Sequence, residues 1–169
     1  IRDRETGEIA IEAAMTGHLL LSTLHTNSAA ETVNRLINME IPPYLIAAGL
    51  SVVVAQRLIR TLCDECKQEA EAPTEVFERF DIDPSEFEDT TFYDAPGCEE
   101  CDEGFSGRTG LFEVMEIDNH IREGIFNRES TDEIQERARE QGFTTLLEDG
   151  FRKVKAGETT LEEVMKNTV

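Results

Sequence analysis

The order of apolar and polar residues predicts alternating helices and strands in the N-terminal part of the chain. Residues 5–16 carry an apolar stripe at helical spacing and are followed by Gly17, which favours a helix with a glycine cap. Residues 18–24 form a short continuous apolar run, typical of a strand covered on both faces in a parallel sheet. A Ser-x-x-Glu capping box then opens a helix at residues 28–39. Helix, buried strand and helix in this order predict an α/β fold class.

A strand that is buried on both faces needs neighbouring strands, and the chain offers few of them. The pattern predicts one further good strand, at residues 109–117. Two strands make a poor parallel sheet. We therefore expect the remaining strands to lie upstream of Ile1, in a longer protein of which this sequence is a fragment.

Helices are predicted for most of the remaining chain, and an acidic segment interrupts them. After Pro42 and Pro43 the sequence is apolar around most of a helical circumference, which predicts a buried helix at residues 44–62. Residues 67–97 carry ten acidic side chains against two basic ones, with a few aromatic anchors and a short amphipathic turn at residues 76–80. Four C-terminal helices are predicted from their caps and glycine stops, at residues 119–127, from 130 to Gly142, at 146–155 and from 160 onward.

The negative net charge of the chain argues against two classes of binding partner, nucleic acids and anionic lipids. Across 169 residues, 36 acidic side chains face 16 lysines and arginines, for a formal charge of −20. Sequence-independent binding to nucleic acid or to anionic lipid needs a basic face, so both are disfavoured. The longest apolar run, residues 44–55, is too short to span a bilayer, and we expect no direct membrane insertion.

Four cysteines in two Cys-x-x-Cys pairs are the strongest chemical signal. They are Cys63 with Cys66 and Cys98 with Cys101. This spacing lets both sulfurs of each knuckle turn towards one tetrahedral metal, so the pattern predicts a closed, structural Zn²⁺ site in a reducing, cytosolic compartment. An iron–sulfur cluster is the main alternative, since it uses the same thiolates. A redox dithiol is a weaker one, because a single pair would suffice for it.

One histidine stands where α/β sheets place their ligands. His25 follows the carboxyl end of the predicted strand 18–24, with the hydroxyl groups of Thr23 and Thr26 beside it. An imidazole there suits a phosphate sensor, although position alone favours a histidine that satisfies local backbone groups. Arg57 and Arg60, on the predicted buried helix, need acidic partners or a nucleotide phosphate. The sequence contains no G-x-x-x-x-G-K-[ST] phosphate loop and no hydrolase motif.

Seven segments in one order nevertheless give the chain a specific resemblance. They are IRDRET at residues 1–6, TGHLLLSTLHTN at 16–27, AQRLIRTLC at 55–63, GCEEC at 97–101, GRTGLFE at 107–113, TLLEDG at 145–150 and LEEV at 161–164. Together they resemble the traffic ATPases of type II secretion and type IV pilus assembly. The resemblance covers essentially the whole chain.

This resemblance implies the C-terminal half of a RecA-like ATPase core with an inserted four-cysteine zinc subdomain. In that family a homo-hexamer hydrolyses Mg-ATP to extend a pseudopilus or pilus, in the cytoplasm and peripheral to the inner membrane through platform proteins. The phosphate loop and most of the Walker B motif would precede Ile1, and the fragment alone is expected to be inactive. Residues 1–62 would belong to the ATPase core, 63–107 to the metal subdomain and 108–169 to a returning strand and helical region.

Four positions take roles from the resemblance. His25 matches the family's histidine box, which makes it the candidate catalytic residue near the γ-phosphate. Arg2 and Asp3 match the tail of the Walker B motif and, with Thr26, are candidate nucleotide-binding residues. The cysteine knuckle matches assembly-type members and argues against the retraction branch, which lacks it. A non-catalytic, zinc-stapled docking module whose acidic insert binds a basic partner remains the alternative, and secretion and pilus assembly are not separable.

Overall fold

The computed structural model describes residues 1–168, in which helices and strands alternate. Helices α1 to α3 and strand β1 come first, then β2, α4, a 3₁₀ turn, β3 and β4, and finally α5 to α8. Their bounds are Arg4–Met15 (α1), Ala29–Asn38 (α2), Pro43–Gly49 (α3), Val52–Leu62 (β1), Gln68–Ala70 (β2), Thr74–Phe80 (α4), Pro84–Phe87 (3₁₀), Phe92–Asp94 (β3), Phe105–Glu116 (β4), Asn119–Asn127 (α5), Thr131–Arg139 (α6), Leu146–Lys155 (α7) and Leu161–Thr168 (α8).

The chain divides into two compact units, each built from two stretches of sequence. The first unit comprises Ile1–Ala55 and Glu113–Thr144, and the second comprises Gln56–Phe112 and Thr145–Val169, with Val169 outside the described residues. The long strands β1 and β4 pair in a two-stranded sheet and contribute residues to both units. These boundaries differ from the three segments predicted from the sequence, and that functional division stays a prediction.

The helices of the first unit begin where the sequence predicts and enclose one apolar core. Ser28 Oγ accepts a hydrogen bond from the Glu31 backbone N–H at 3.1 Å, so the predicted cap of α2 is confirmed. The Glu31 side chain bonds the N–H of Asn27 instead of closing the box on Ser28. The core is formed by residues from α1, α2, α3, α5 and α6 and from the strands β1 and β4, and its fully buried members include Val33, Ile46, Ile121, Ile125 and Ile134.

The predicted strand at residues 18–24 is wrong for the structure described here. These residues form neither helix nor strand, and the side chains of Leu19 and Leu21 are 91% and 88% exposed. A strand exists only where a neighbour completes its hydrogen bonds, and no strand among residues 1–168 pairs with this segment. Leu24, at its end, packs against the core of the first unit.

The predicted helix at residues 44–62 is also wrong, because α3 ends at Gly49 and β1 follows. The first residues of β1, Val52 to Val54, are β-branched and favour a strand. Along β1, Val53, Ala55 and Ile59 are buried, as expected for one face of a strand, while Val54 and Leu58 are exposed. Because both faces of β1 carry apolar side chains, its sequence resembles that of a helix that is apolar on all sides. Only the alternation of buried and exposed positions with a period of two distinguishes the strand from such a helix.

The second unit has a core of aromatic rings under its two C-terminal helices. Phe77, Phe87, Phe92 and Phe151 pack with ring centroids 5.0–6.0 Å apart. The short turn predicted at residues 76–80 is confirmed as part of α4. Strands β2 and β3 pair antiparallel, with Glu69 opposite Tyr93. The strand predicted at 109–117 and the four predicted C-terminal helices are confirmed as β4 and α5 to α8.

A partly buried ion pair joins β1 to α8 within the second unit. Arg60 lies on β1, not on a helix, and its Nε and Nη2 atoms donate to Glu163 Oε2 at 3.1 and 2.7 Å. Its backbone N–H donates to Glu163 Oε1 at 3.1 Å, and its guanidinium lies 3.9 Å from the centroid of the Phe105 ring. The sequence analysis considered an acidic side chain or a nucleotide phosphate as the partner of Arg60, and in the structure the partner is the acid Glu163.

Replacing Glu163 with alanine is expected to destabilise the chain by about 2–4 kcal/mol at pH 7, since Arg60 loses three hydrogen bonds to a 6% exposed carboxylate. The control is Glu162→Ala, which removes the adjacent exposed acid. Burial disfavours the charged form of Glu163, but the Arg60 hydrogen bonds outweigh it and lower its pKa. The contribution is therefore present above the ordinary glutamate pKa of about 4.3 and is lost as the pH falls through the lowered value. Urea unfolding with equal midpoints for both variants at pH 7 would refute this.

Candidate functional site

The segment that contains His25 lies beside the N-terminal end of the chain. The nitrogen of Ile1 donates to the carbonyl oxygen of Thr23 at 2.8 Å. The sequence-predicted residues Arg2 and Asp3 therefore adjoin the segment that carries His25 and Thr26, and all four belong to the first unit. Their roles in binding a nucleotide stay predictions.

The four side chains differ in what they do locally. Asp3 is the N-cap of α1, with its carboxylate accepting from the Thr6 N–H at 2.9 Å and from the Thr6 hydroxyl at 3.0 Å, and these hydrogen bonds lower its pKa. Thr26 Oγ1 lies 2.8 Å from Thr32 Oγ1. The side chains of Arg2 and His25 are exposed. The His25 ring is thus open to solvent, while Asp3 already has a structural role.

The loop after His25 is fixed by hydrogen bonds at several successive residues. The Asn27 N–H donates to Glu31 Oε2 at 2.6 Å, and the Thr32 hydroxyl donates to the Ser28 carbonyl at 3.2 Å. The Ala29 N–H, at the start of α2, donates to Glu113 Oε2 at 2.8 Å. These bonds hold the backbone at residues 27–29, directly after the exposed His25 and its neighbour Thr26.

Glu113 is a residue to which the sequence analysis gave no role. It lies on β4 and is 4% exposed, between buried Leu111 and Met115 on the inward face of the strand. The signal was present in the pattern, because a single carboxylate on the apolar face of an alternating strand is unusual. Its partner Ala29 is 84 residues away along the chain and was not identifiable from the sequence.

The four cysteines meet in the second unit as predicted. Their sulfur atoms all lie within 4.8 Å of one another. The Cys63–Cys98 and Cys66–Cys101 sulfur pairs are 3.8 Å apart, and Cys98 Sγ lies 3.6 Å from Cys101 Sγ. Four sulfurs about 2.3 Å from a central Zn²⁺ would stand about 3.8 Å apart in a tetrahedron. The donor set and its spacing therefore fit zinc.

Backbone contacts hold the two knuckles in this arrangement. The Cys63 N–H donates to the Gly104 carbonyl at 2.9 Å, and the Lys67 N–H turns back to the Cys63 carbonyl at 2.9 Å. Gly104 has a φ of +87°, and a Cβ there would collide with the carbonyl oxygen of Ala95. Glycine is therefore required where the second knuckle returns to β4.

The thiols differ in their readiness to ionise without metal. Burial raises the pKa of the Cys66 thiol to about 12. Burial acts the same way on Cys101, but hydrogen bonds from Cys98 and from the Gly104 backbone outweigh it and lower the pKa of that thiol to about 7. A metal that binds all four as thiolates must displace protons, so its affinity is expected to rise with pH.

The two groups of predicted residues suit different tasks. Four thiolates fill the coordination sphere of a tetrahedral ion, which leaves no position for a reactive water and makes the cysteine cluster structural. The His25 segment carries exposed polar groups on a fixed backbone and suits contact with a ligand. Among the described residues, no helix has the length and apolarity that a bilayer crossing requires.

Comparison with known proteins identifies the family. The family described as "Type II/IV secretion system protein" matches residues 1–166. The type IV pilus assembly ATPase PilB of Thermus thermophilus is 44% identical over 170 residues, which span 100% of this chain and 19% of that protein. Type II secretion system protein E of Pseudomonas aeruginosa is 45% identical over 169 residues, 99% of this chain and 33% of that protein.

Solved structures confirm the fold class. The pilus retraction motor PilT with bound ADP superposes with a TM-score of 0.64 at 22% identity, over 98% of this chain and 37% of that one. The Legionella pneumophila ATPase DotB gives a TM-score of 0.62 at 22% identity, over 98% and 36%. The chain spans about a fifth to a third of the length of the two curated relatives above. It belongs to the family of type II/IV secretion system proteins.

Proposed function

We propose that this chain is part of an ATPase that powers assembly of a type II secretion pseudopilus or a type IV pilus. The observation that carries the proposal is the unbroken family match over residues 1–166, which includes both the His25 segment and the cysteine cluster. The relatives reported above are named as a pilus assembly ATPase and a type II secretion protein. In this proposal the motor works as a homo-hexamer in the cytoplasm, docked to platform proteins of the inner membrane.

In this proposal, one group of residues contacts the nucleotide and the cysteine cluster stabilises the fold. His25 contacts the γ-phosphate or the water near it as an auxiliary sensor, and Arg2, Asp3 and Thr26 line the same edge. The phosphate loop, with its lysine and the Mg²⁺ site, comes from the rest of the motor, because no G-x-x-x-x-G-K-[ST] motif is present in these 169 residues. The zinc ion is structural.

The proposal is tested by comparing this chain with the longer protein that contains it. The 169-residue chain is expected to show no measurable Mg-ATP hydrolysis and no tight binding of a fluorescent ATP analogue, since phosphoryl transfer depends on charge neutralisation by groups it lacks. The longer protein is expected to hydrolyse ATP with sigmoidal dependence on protein concentration, as an assembling ring requires.

Two results would contradict the proposal. Turnover by the isolated chain that scales with its concentration would show a complete site within it. A longer protein that assembles but does not hydrolyse ATP would favour the docking module, with the acidic residues of the 67–97 segment as its binding surface.

A further inference from the structure

Glu113 is a buried carboxylate for which the proposed function provides no role. It is 4% exposed on the inward face of β4, in the first unit. Burying a carboxylate is costly unless it is hydrogen-bonded, so its position calls for a specific partner. One partner is the backbone N–H of Ala29, which donates to Glu113 Oε2 at 2.8 Å.

Ala29 is the first residue of α2, so the hydrogen bond from its N–H to Glu113 acts on the start of that helix. The first N–H groups of a helix have no partners inside the helix, and the N-terminal end carries partial positive charge. A carboxylate at that point satisfies a donor and complements the helix dipole. It also fixes the point at which the loop containing His25 joins the helix.

Beyond the Ile1 contact at Thr23 and the packing of Leu24, further hydrogen bonds of this loop come from α2 itself. Glu31 accepts from Asn27, and Thr32 donates to Ser28, both within five residues. Such local contacts shape the loop but move together with the helix. Glu113 is supplied by a different element, and so it ties the loop and the helix start to β4.

We propose that Glu113 is a positioning residue that holds the His25 loop in register with the nucleotide. This inference rests on the proposed function, since it assigns Glu113 a role that acts through His25. Glu113 touches Ala29 and reaches the nucleotide only through the loop. Its loss is therefore expected to lower turnover more than substrate affinity.

The test is a double-mutant cycle in the longer ATPase. Glu113→Gln keeps the shape and removes the charge, and it is combined with His25→Ala. The single variant Glu113→Gln is expected to lower kcat about tenfold with KM nearly unchanged, because a neutral amide oxygen accepts the Ala29 N–H more weakly than a carboxylate and complements the helix dipole less. In the His25→Ala background the same change is expected to have almost no further effect. The matched control is Glu163→Gln, a second buried glutamate that also accepts a backbone N–H, and its effect is expected to be independent of His25.

Hydrogen exchange separates positioning from unfolding. In the Glu113→Gln variant the Ala29 amide is expected to exchange faster, while the core amides of α5 keep their protection. Unchanged exchange at Ala29, an unchanged kcat, or losses that simply add to those of His25→Ala would each overturn the inference. If the unmodified longer protein has no ATPase activity, the proposed function fails, and the exchange measurement still decides whether Glu113 fixes the loop.

Discussion

Substitution of Cys63 by serine is expected to abolish zinc binding and to cost the chain about 5 kcal/mol or more, on the order of a whole domain's free energy of unfolding. Cys63 is the most buried of the four sulfur ligands, and its backbone N–H also anchors the second knuckle through Gly104. The 67–97 segment carries a net charge of −8, and the cysteine pairs that flank it lie close enough for one metal ion to hold its two ends together. Without the metal, no coordination bonds join the two cysteine pairs, and the segment that supplies the aromatic rings Phe77, Phe87 and Phe92 to the core is held less tightly.

Three measurements check this result. Metal analysis is expected to give one zinc per chain, with no visible absorption from an iron–sulfur cluster. Chelation is expected to lower the unfolding temperature of the unmodified protein and to leave Cys63→Ser unchanged. Asp64→Asn, an exposed position between the ligands Cys63 and Cys66, is the control and is expected to keep both zinc and stability. Metal-free protein with unaltered stability would refute the structural role of the cluster.

Local signals predicted the helices well because each is encoded by a few adjacent residues. The capping box predicted at Ser130 and Glu133 is present, the Thr160 hydroxyl accepts from the Glu163 N–H at 3.2 Å, and α5 and α7 have the predicted bounds. The cysteine cluster was predictable for a similar reason. The spacing within each pair is local, and a need to fill one tetrahedral coordination sphere predicts that the two pairs meet.

The strands were harder to predict because their stability depends on distant residues. Residues 18–24 have the composition of a buried strand, but composition does not provide a pairing neighbour, and the segment is exposed in the structure. β1 was mistaken for a helix because its outward face is also apolar, with Val54 and Leu58 exposed. Both errors concern the long-range part of the fold.

The buried polar contacts could not be predicted either, because they also join residues that are far apart in the sequence. Glu113 bonds Ala29 across 84 residues, and Arg60 bonds Glu163 across 103 residues. A sequence shows that a buried charge needs a partner, yet it does not say which residue the fold will bring to it. Arg60 illustrates this point, since its position favoured an ion pair over a nucleotide phosphate but did not identify Glu163 as the acid.

Replacing His25 with alanine in the longer ATPase is expected to lower kcat about 10²-fold while changing nucleotide affinity by less than about threefold. The ring is exposed beside backbone that is fixed at Asn27, Ser28 and Ala29, so truncating it is expected to remove the proposed phosphate contact without loosening the fold. An imidazole that contacts the γ-phosphate or its water acts mainly in the transition state. Such a contact contributes to turnover more than to binding.

His18→Ala is the matched control, since His18 is an exposed histidine in the same segment whose Nδ1 lies 3.0 Å from the Thr16 hydroxyl at the end of α1. It is expected to leave both kcat and nucleotide affinity near the unmodified values. Steady-state ATPase assays combined with titration of a fluorescent ATP analogue measure the two quantities separately. Equal losses of turnover and affinity in His25→Ala, or an equal effect of His18→Ala, would contradict the role of His25 as a sensor, because a merely structural histidine affects both through the fold.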